Sequence, residues 1–161
     1  MKTIVTLIPL LPFAGFVITL LFGKRFLKTQ SHLIATLLVT ASWVLSMYVF
    51  VHVFQHRDAP LQIHLFSWIA SRGFNVSWGY LVDSLTAIML LVVGTIGMLV
   101  HYYSIGYMKD DEGYYRFFAY LNLFMFAMFV LILADSFLLM FLGWEGVGLC
   151  SYLLIAFWFR K

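Results

Sequence analysis

Five stretches of membrane-spanning length, each nearly free of charge, dominate this 161-residue sequence. They run from Thr3 to Gly23, between Lys28 and Arg57, between Asp83 and Lys109, from Phe117 to Ala134 and from Ser136 to Phe159. An α-helix of about 20 apolar residues crosses the hydrocarbon core of a bilayer, and only helices and closed barrels satisfy the backbone there. We therefore predict an all-α integral membrane protein, with five transmembrane helices in a single membrane domain over residues 1–161.

The composition excludes a soluble domain. Hydrophobic residues make up 63% of the chain and charged residues 11%, with a mean hydropathy of +0.96. A soluble domain carries about 25% charged residues. The net charge of +3 therefore indicates loops beside a lipid bilayer rather than contact with nucleic acid. Cys150 is the single cysteine and lies in an apolar run, so no disulfide or metal framework can be read from it.

Residues 58–80 have a different pattern from the five apolar stretches. Apolar and polar residues alternate in LQIHL, from Leu61 to Leu65, and again in FNVSWGY, from Phe74 to Tyr80. Alternation with a period of two around a polar connection containing glycine is typical of a β-hairpin. An irregular loop at the membrane surface with aromatic anchors is the alternative.

The basic residues predict an orientation. Seven of them fall on one side of the predicted helices: Lys24, Arg25, Lys28, Lys109, Arg116, Arg160 and Lys161. The other side holds Lys2, Arg57 and Arg72. Because cytoplasmic loops carry the excess of Lys and Arg, we expect the N-terminus and the hairpin outside, on the periplasmic side of a bacterial inner membrane.

Glu145 is the only charged residue between Asp135 and Arg160. A helix that starts at Ser136 brings it roughly 14 Å into the membrane, near the centre of the hydrocarbon core. A charge there costs at least about 2.5 kcal/mol, and such residues are functional by default. The predicted spans contain no Lys or Arg, so a cationic partner must come from outside them. The alternative is a protonated acid that only joins two helices.

The helical period sorts the neighbours of Glu145 onto different faces. Phe141, Leu149 and Tyr152 fall on its own face, and Gly148 lies about 60° to one side, where it opens space next to the carboxylate. We expect Gly148 to take part in helix packing, together with Gly143 and Gly146. Small residues form a separate strip that allows a neighbouring helix to approach closely, namely Gly143, Gly146 and Cys150.

Other polar residues in the spans are weaker candidates. His101, followed by Ser104, falls near the cytoplasmic end of the third span, where a solvated histidine is the default and a proton path the alternative. Asn122 is expected to hydrogen-bond across helices. Haem ligation would need facing histidines, and only His32 and His101 share a side of the membrane.

Four segments resemble a known family: VDSLTAIML, VHYYSIGYM, RFFAYLNLF and LGWEGVGLCSYLLI. They are similar to the antiporter-like membrane subunit of proton-pumping NADH–quinone oxidoreductase (respiratory complex I), called L in bacteria and chain 5 in mitochondria. The resemblance covers nearly all of residues 1–161 and is strongest over 80–158. It implies a sequence that is the N-terminal part of a longer chain.

The resemblance implies a role for Glu145 and a setting for the protein. Glu145 matches the family's mid-membrane glutamate on the fifth helix, which pairs with a lysine on the seventh and forms part of a proton half-channel. The implied partners are protons and the other membrane subunits of complex I. NADH, FMN, the iron–sulfur clusters and quinone would bind on other subunits, so no cofactor is expected on this chain. The membrane would be the bacterial inner membrane, or the mitochondrial inner membrane in an organelle.

Two other functions fit the same residues. The large subunit of multi-subunit sodium/proton antiporters shares the mid-membrane glutamate, although GVGLCSYLL favours complex I. A non-transporting assembly protein of five spans would use Glu145 and the glycine strip only for packing.

Overall fold

The computed structural model describes residues 1–27, 30–56, 60–71 and 74–159. It contains α1 (Lys2–Phe22) with a π-helical turn (Gly23–Leu27), α2 (Ser31–His56), β1 (Leu61–Ser71), β2 (Phe74–Val82), α3 (Ser84–Tyr107), α4 (Tyr114–Leu133) and α5 (Phe137–Ile155) with a 3₁₀ turn (Ala156–Trp158). All five α-helices are long and apolar enough to cross a membrane. The prediction of a five-helix membrane protein is confirmed.

Polar side chains fix the starts of two helices. The Asp83 carboxylate accepts the Thr86 N–H at 2.7 Å before α3, and Ser136 Oγ accepts the Leu139 N–H at 3.4 Å before α5. The prediction for the fourth helix was too short, because α4 begins at Tyr114 and has 20 residues. Apolar periodicity could not reveal this extra turn. The added residues at the start of α4 include Arg116, so this basic residue lies in the first turn of the helix.

The four helices α1 to α4 form a bundle, and α5 packs mainly on the outside of α4. In the bundle α2 lies between α1 and α3, and α4 packs chiefly against α1. The core contains fully buried apolar side chains from α2, α3 and α4, including Val39, Leu90 and Phe129. Helix α5 is therefore the least enclosed of the five.

A serine completes the backbone hydrogen bonding where α1 contains proline. Pro12 has no N–H, so the carbonyl of Ile8 loses its usual partner four residues ahead. Ser42 Oγ from α2 donates to that carbonyl at 2.5 Å, in a fully buried position. This bond also joins α1 to α2.

The two strands form the predicted hairpin between α2 and α3. They pair antiparallel, from Leu61 opposite Val82 to Ser71 opposite Phe74, with two register irregularities in β1. Residues 58, 59, 72 and 73 of the predicted hairpin lie outside the described residues. Ile63 and Tyr80 are buried in the apolar core of the bundle, and Val76 is also buried. The prediction of a hairpin is confirmed.

The hairpin is attached to the turn between α4 and α5. Tyr80 pairs with Ala134 in an isolated bridge, and the Asp135 N–H donates to the Gly79 carbonyl at 3.4 Å. The Asp135 carboxylate packs directly on Gly79, leaving no room for a Cβ there. Burial raises the pKa of the Tyr80 hydroxyl, and its hydrogen bond from Trp78 partly opposes the shift. The start of α5 is thus held by β2 as well as by α4.

Several residues used in the charge count fall outside the described part of the chain. These are Lys28, Arg57, Arg72, Arg160 and Lys161.

Candidate functional site

Glu145 lies in the middle of α5, as the ninth of its 19 residues. Its side chain is exposed on the outer surface of the bundle. It makes no hydrogen bond or ion pair with any residue that the structure describes. The only charged group of this helix therefore points away from the other four helices.

The surface around Glu145 is apolar and uncovered. Phe141, Leu149 and Tyr152 lie on the same side, with exposed fractions of 55%, 56% and 68%. A Cβ built on Gly148 meets no atom within 4 Å. These five residues, which we call the Glu145 face, form an open strip with one carboxyl group at its centre.

The opposite side of α5 is the packed side, and it fixes the direction of Glu145. A Cβ on Gly143 would lie 2.7 Å from the Leu131 backbone, and one on Gly146 would lie 3.1 Å from the Ala127 side chain. Cys150 is fully buried on the same side. Residues 143 and 145 are about 200° apart around a helix. Contact of the small residues with α4 thus turns Glu145 outward.

His101 and Asn122 meet in the interior of the bundle. Asn122 Nδ2 lies 3.4 Å from His101 Nε2 and donates to the Phe118 carbonyl at 3.0 Å. His101 Nδ1 lies 2.7 Å from the Gly97 carbonyl, which can only accept. This arrangement requires the neutral ring with its proton on Nδ1.

The expectation that His101 is solvated is wrong. His101 is 1% exposed and Asn122 is fully buried. The position near a helix end suggested water, but α4 begins early enough for Phe118 and Asn122 to cover the ring. Asn122 thus hydrogen-bonds across helices.

The remaining predicted residues do not assemble into one site. Ser104 is buried one turn from His101 on α3, whereas Tyr152 lies on the Glu145 face. His32 and His101 each lie 6.3 Å from the Phe118 ring, measured between ring centroids. Both ring nitrogens of His101 are engaged, so haem ligation would require breaking these contacts. The described residues contain no group of three or more potential metal ligands.

Sequence reasoning missed the polar contacts between α2 and its neighbours. Besides the Ser42 bond, Trp43 Nε1 donates to Thr95 Oγ1 of α3 at 2.9 Å. Pro12 was the available signal for the first contact, since a freed carbonyl inside a membrane needs a donor. No comparable signal marks the second contact.

Two family models match the chain. One, described as the N-terminus of chain 5 of NADH-ubiquinone oxidoreductase (complex I), matches residues 68–118. The other, described as the transmembrane region of NADH:quinone oxidoreductase and Mrp antiporters, matches residues 134–161 and includes Glu145.

Similar proteins occur in fungi and bacteria. NADH-ubiquinone oxidoreductase chain 5 of Hypocrea jecorina is 44% identical over 94% of this chain and 22% of that protein. The chain 5 protein of Trichophyton rubrum is 45% identical over 94% of this chain and 23% of that protein. NADH-quinone oxidoreductase subunit L of Neisseria meningitidis serogroup A is 42% identical over 99% of this chain and 24% of that protein. The chain spans less than a quarter of the length of these relatives. It belongs to the family of complex I chain 5 and subunit L.

Proposed function

We propose that this chain is part of a proton-translocating membrane subunit of NADH–quinone oxidoreductase, in which Glu145 takes up and releases a proton. The observation that carries the proposal is the position of Glu145, a single carboxyl group halfway along an apolar helix and exposed on its unpacked side. A carboxyl group exchanges protons when surrounding charges change the relative stability of its two forms. The names of the relatives support the same activity.

A cationic partner for Glu145 would come from a helix that covers the Glu145 face. Basic residues in the described helices occur only near their ends, as with Lys2 of α1 and Arg116 of α4. An uncompensated carboxylate in hydrocarbon is too costly to persist. In this proposal the covering helix keeps lipid away from Glu145. It also supplies the positive charge that stabilises the ionised form of its carboxyl group.

The electron-transfer chemistry belongs to other subunits in this proposal. NADH, FMN, iron–sulfur clusters and quinone would bind there, and this chain would contact neighbouring membrane subunits, lipid and protons. The excess of Lys and Arg on one side of the helices supports an N-terminus outside, with the hairpin on the same face. A bacterial inner membrane, or a mitochondrial one in an organelle, fits this topology.

Glu145→Gln in the full-length protein tests the proposal. The amide keeps the shape of the side chain but cannot exchange a proton, so NADH-driven proton uptake by membrane vesicles should lose most of its amplitude per NADH oxidised. Asp110→Asn is the matched control, because Asp110 is an exposed carboxylate in the loop before α4 and should leave pumping unchanged. Full pumping by an assembled Glu145→Gln complex would refute the role of Glu145.

A sodium/proton antiporter is the second candidate, because the family model that covers Glu145 also describes Mrp antiporters. The two functions differ in what drives ion movement. Proton movement driven by a sodium gradient, in vesicles without NADH, would favour the antiporter. Proton movement that requires NADH and quinone would favour complex I.

A further inference from the structure

A basic cleft lies at the end of the bundle away from the hairpin. Its lining includes Lys24 from the π-helical turn, Lys109 from the loop after α3 and Arg116 from the first turn of α4. The cleft has a volume of about 400 Å³, within the usual range for small-ligand sites. Three separate elements thus bring three cations to one opening.

Backbone geometry brings these elements together. A Cβ built on Gly23 would lie 2.7 Å from the Tyr115 side chain, so only glycine lets the π-helical turn approach α4 this closely. Tyr114 and Tyr115 also line the cleft. π-Helical segments are rare and frequently mark functional sites.

The charges in the cleft leave it positive. Lys24, Lys109 and Arg116 are exposed, and none forms an ion pair with a carboxylate of the described residues. Asp111 also lines the cleft and keeps its negative charge, with its two oxygens accepting the Gly113 N–H at 2.8 Å and the Trp158 Nε1–H at 2.7 Å. Glu112 is the second acid, so the three cations exceed the carboxylates by one.

The cleft lies at the depth of lipid headgroups, because α1, α3 and α4 all end or begin there. The neighbouring surface of α1 is apolar, with Leu21 66% and Phe22 48% exposed. Basic clefts between transmembrane helices attract anionic headgroups, whose acyl chains then run along the adjoining helix.

We propose that this cleft binds the headgroup phosphate of an anionic phospholipid, held by Lys24, Lys109 and Arg116. The acyl chains lie along the exposed side of α1. The site is independent of proton transfer at Glu145, so either proposal can fail without the other.

The test measures phosphatidylglycerol bound to the purified full-length protein by native mass spectrometry, from micelles that also contain phosphatidylcholine. Lys24→Gln and Lys109→Gln should each lower phosphatidylglycerol binding about fivefold, the effect of one basic residue at a membrane surface. Arg25→Gln is the matched control, since Arg25 is the adjacent cation, stacks on Phe26 and does not line the cleft. It should leave binding unchanged. Glu112→Gln should increase binding.

Each of the other outcomes overturns the proposal. Equal losses in Arg25→Gln and Lys24→Gln would mean general attraction to a basic surface, and no loss in any variant would mean no site. Displacement of phosphatidylglycerol by inorganic phosphate at equal concentration would identify a soluble anion as the ligand. Thermal unfolding of each variant in the same micelles separates lost binding from lost folding.

Discussion

Asn122 and His101 form a contact that fits the neutral imidazole, while the Asn122 amide oxygen is buried with no hydrogen-bond partner among the described residues. The Asn122 amide nitrogen donates both to the Phe118 carbonyl and towards His101 Nε2. Turning the amide over would set its oxygen against the Phe118 carbonyl, two acceptors facing each other. The neutral ring is thus held in one tautomer, and the pair joins α3 to α4.

We predict that His101 and Asn122 contribute to stability as a pair. His101→Leu and Asn122→Leu should each lower the free energy of unfolding by about 1–2 kcal/mol, since each leaves a buried polar partner unsatisfied. The double variant should lose less than the sum of the two, by roughly 0.6–1.7 kcal/mol, as for other interhelical hydrogen bonds in membranes. Unfolding of the purified protein in mixed micelles measures all three values.

The control for this double-mutant comparison is the pair Asn122→Leu and His52→Leu. His52 lies near the end of α2 that leads into the hairpin, whereas His101 lies near the end of α3 away from the hairpin. The two effects of the control pair should add. Additive effects of His101→Leu and Asn122→Leu would mean that the two side chains do not interact.

The importance of Glu145 could be predicted from the sequence, whereas the burial of His101 could not, and the physical reasons differ. A lone carboxylate in 24 residues without another charge is anomalous wherever the helix packs, so its importance needs no knowledge of its neighbours. The environment of His101 depends on Phe118 and Asn122 from another helix. Periodicity along α3 contains no information about them.

At the scale of helices, the orientation of α5 depends on small residues. Gly143→Ala should push α5 away from α4, because the new methyl group would meet the Leu131 backbone, which cannot move aside. We expect a loss of about 1–3 kcal/mol in the free energy of unfolding, typical of overpacking. Gly148→Ala is the matched control and should be neutral or slightly stabilising, because its methyl group meets nothing and alanine favours the helix. Equal effects of the two substitutions on unfolding in micelles would contradict the observed packing side.

The bond between Ser42 and Ile8 yields a second prediction about helices. Ser42→Ala should lower the free energy of unfolding by about 1 kcal/mol, since the Ile8 carbonyl loses its donor. In a Pro12→Ala background the restored N–H of residue 12 can bond to this carbonyl within α1, so Ser42→Ala should cost less there. The same loss in both backgrounds would show that the serine hydroxyl does not replace the missing backbone donor.

At the scale of the whole molecule, the separate elements were predictable, as was the small-residue side of α5 that packs on a neighbouring helix, but most of the contacts between elements were not. Hydropathy gave the five helices, and alternation gave the hairpin, since each signal lies within a continuous segment. Attachment of the hairpin to the α4–α5 turn depends on the backbone of Gly79 and on Asp135, which no repeating pattern marks. The outward direction of Glu145 likewise required the contact between Gly143 and Leu131.

The arrangement of the helices separates stability from the proposed chemistry. Helices α1 to α4 bury their polar groups among themselves, whereas α5 uses one side for packing and leaves its carboxyl group on the other. A helix docked on the Glu145 face would therefore enclose the carboxyl group without disturbing the bundle. The central claim is that Glu145, in this position, changes its protonation during turnover.

Infrared difference spectroscopy of the assembled complex tests this claim most directly. Spectra recorded before and after addition of NADH and quinone report protonated carboxyl groups through their C=O stretch. We predict a carboxyl band that changes on turnover in the wild-type complex, shifts in Glu145→Asp and is absent from Glu145→Gln. An unchanged set of carboxyl bands in an assembled, NADH-oxidising Glu145→Gln complex would contradict the claim and leave Glu145 as a purely structural residue.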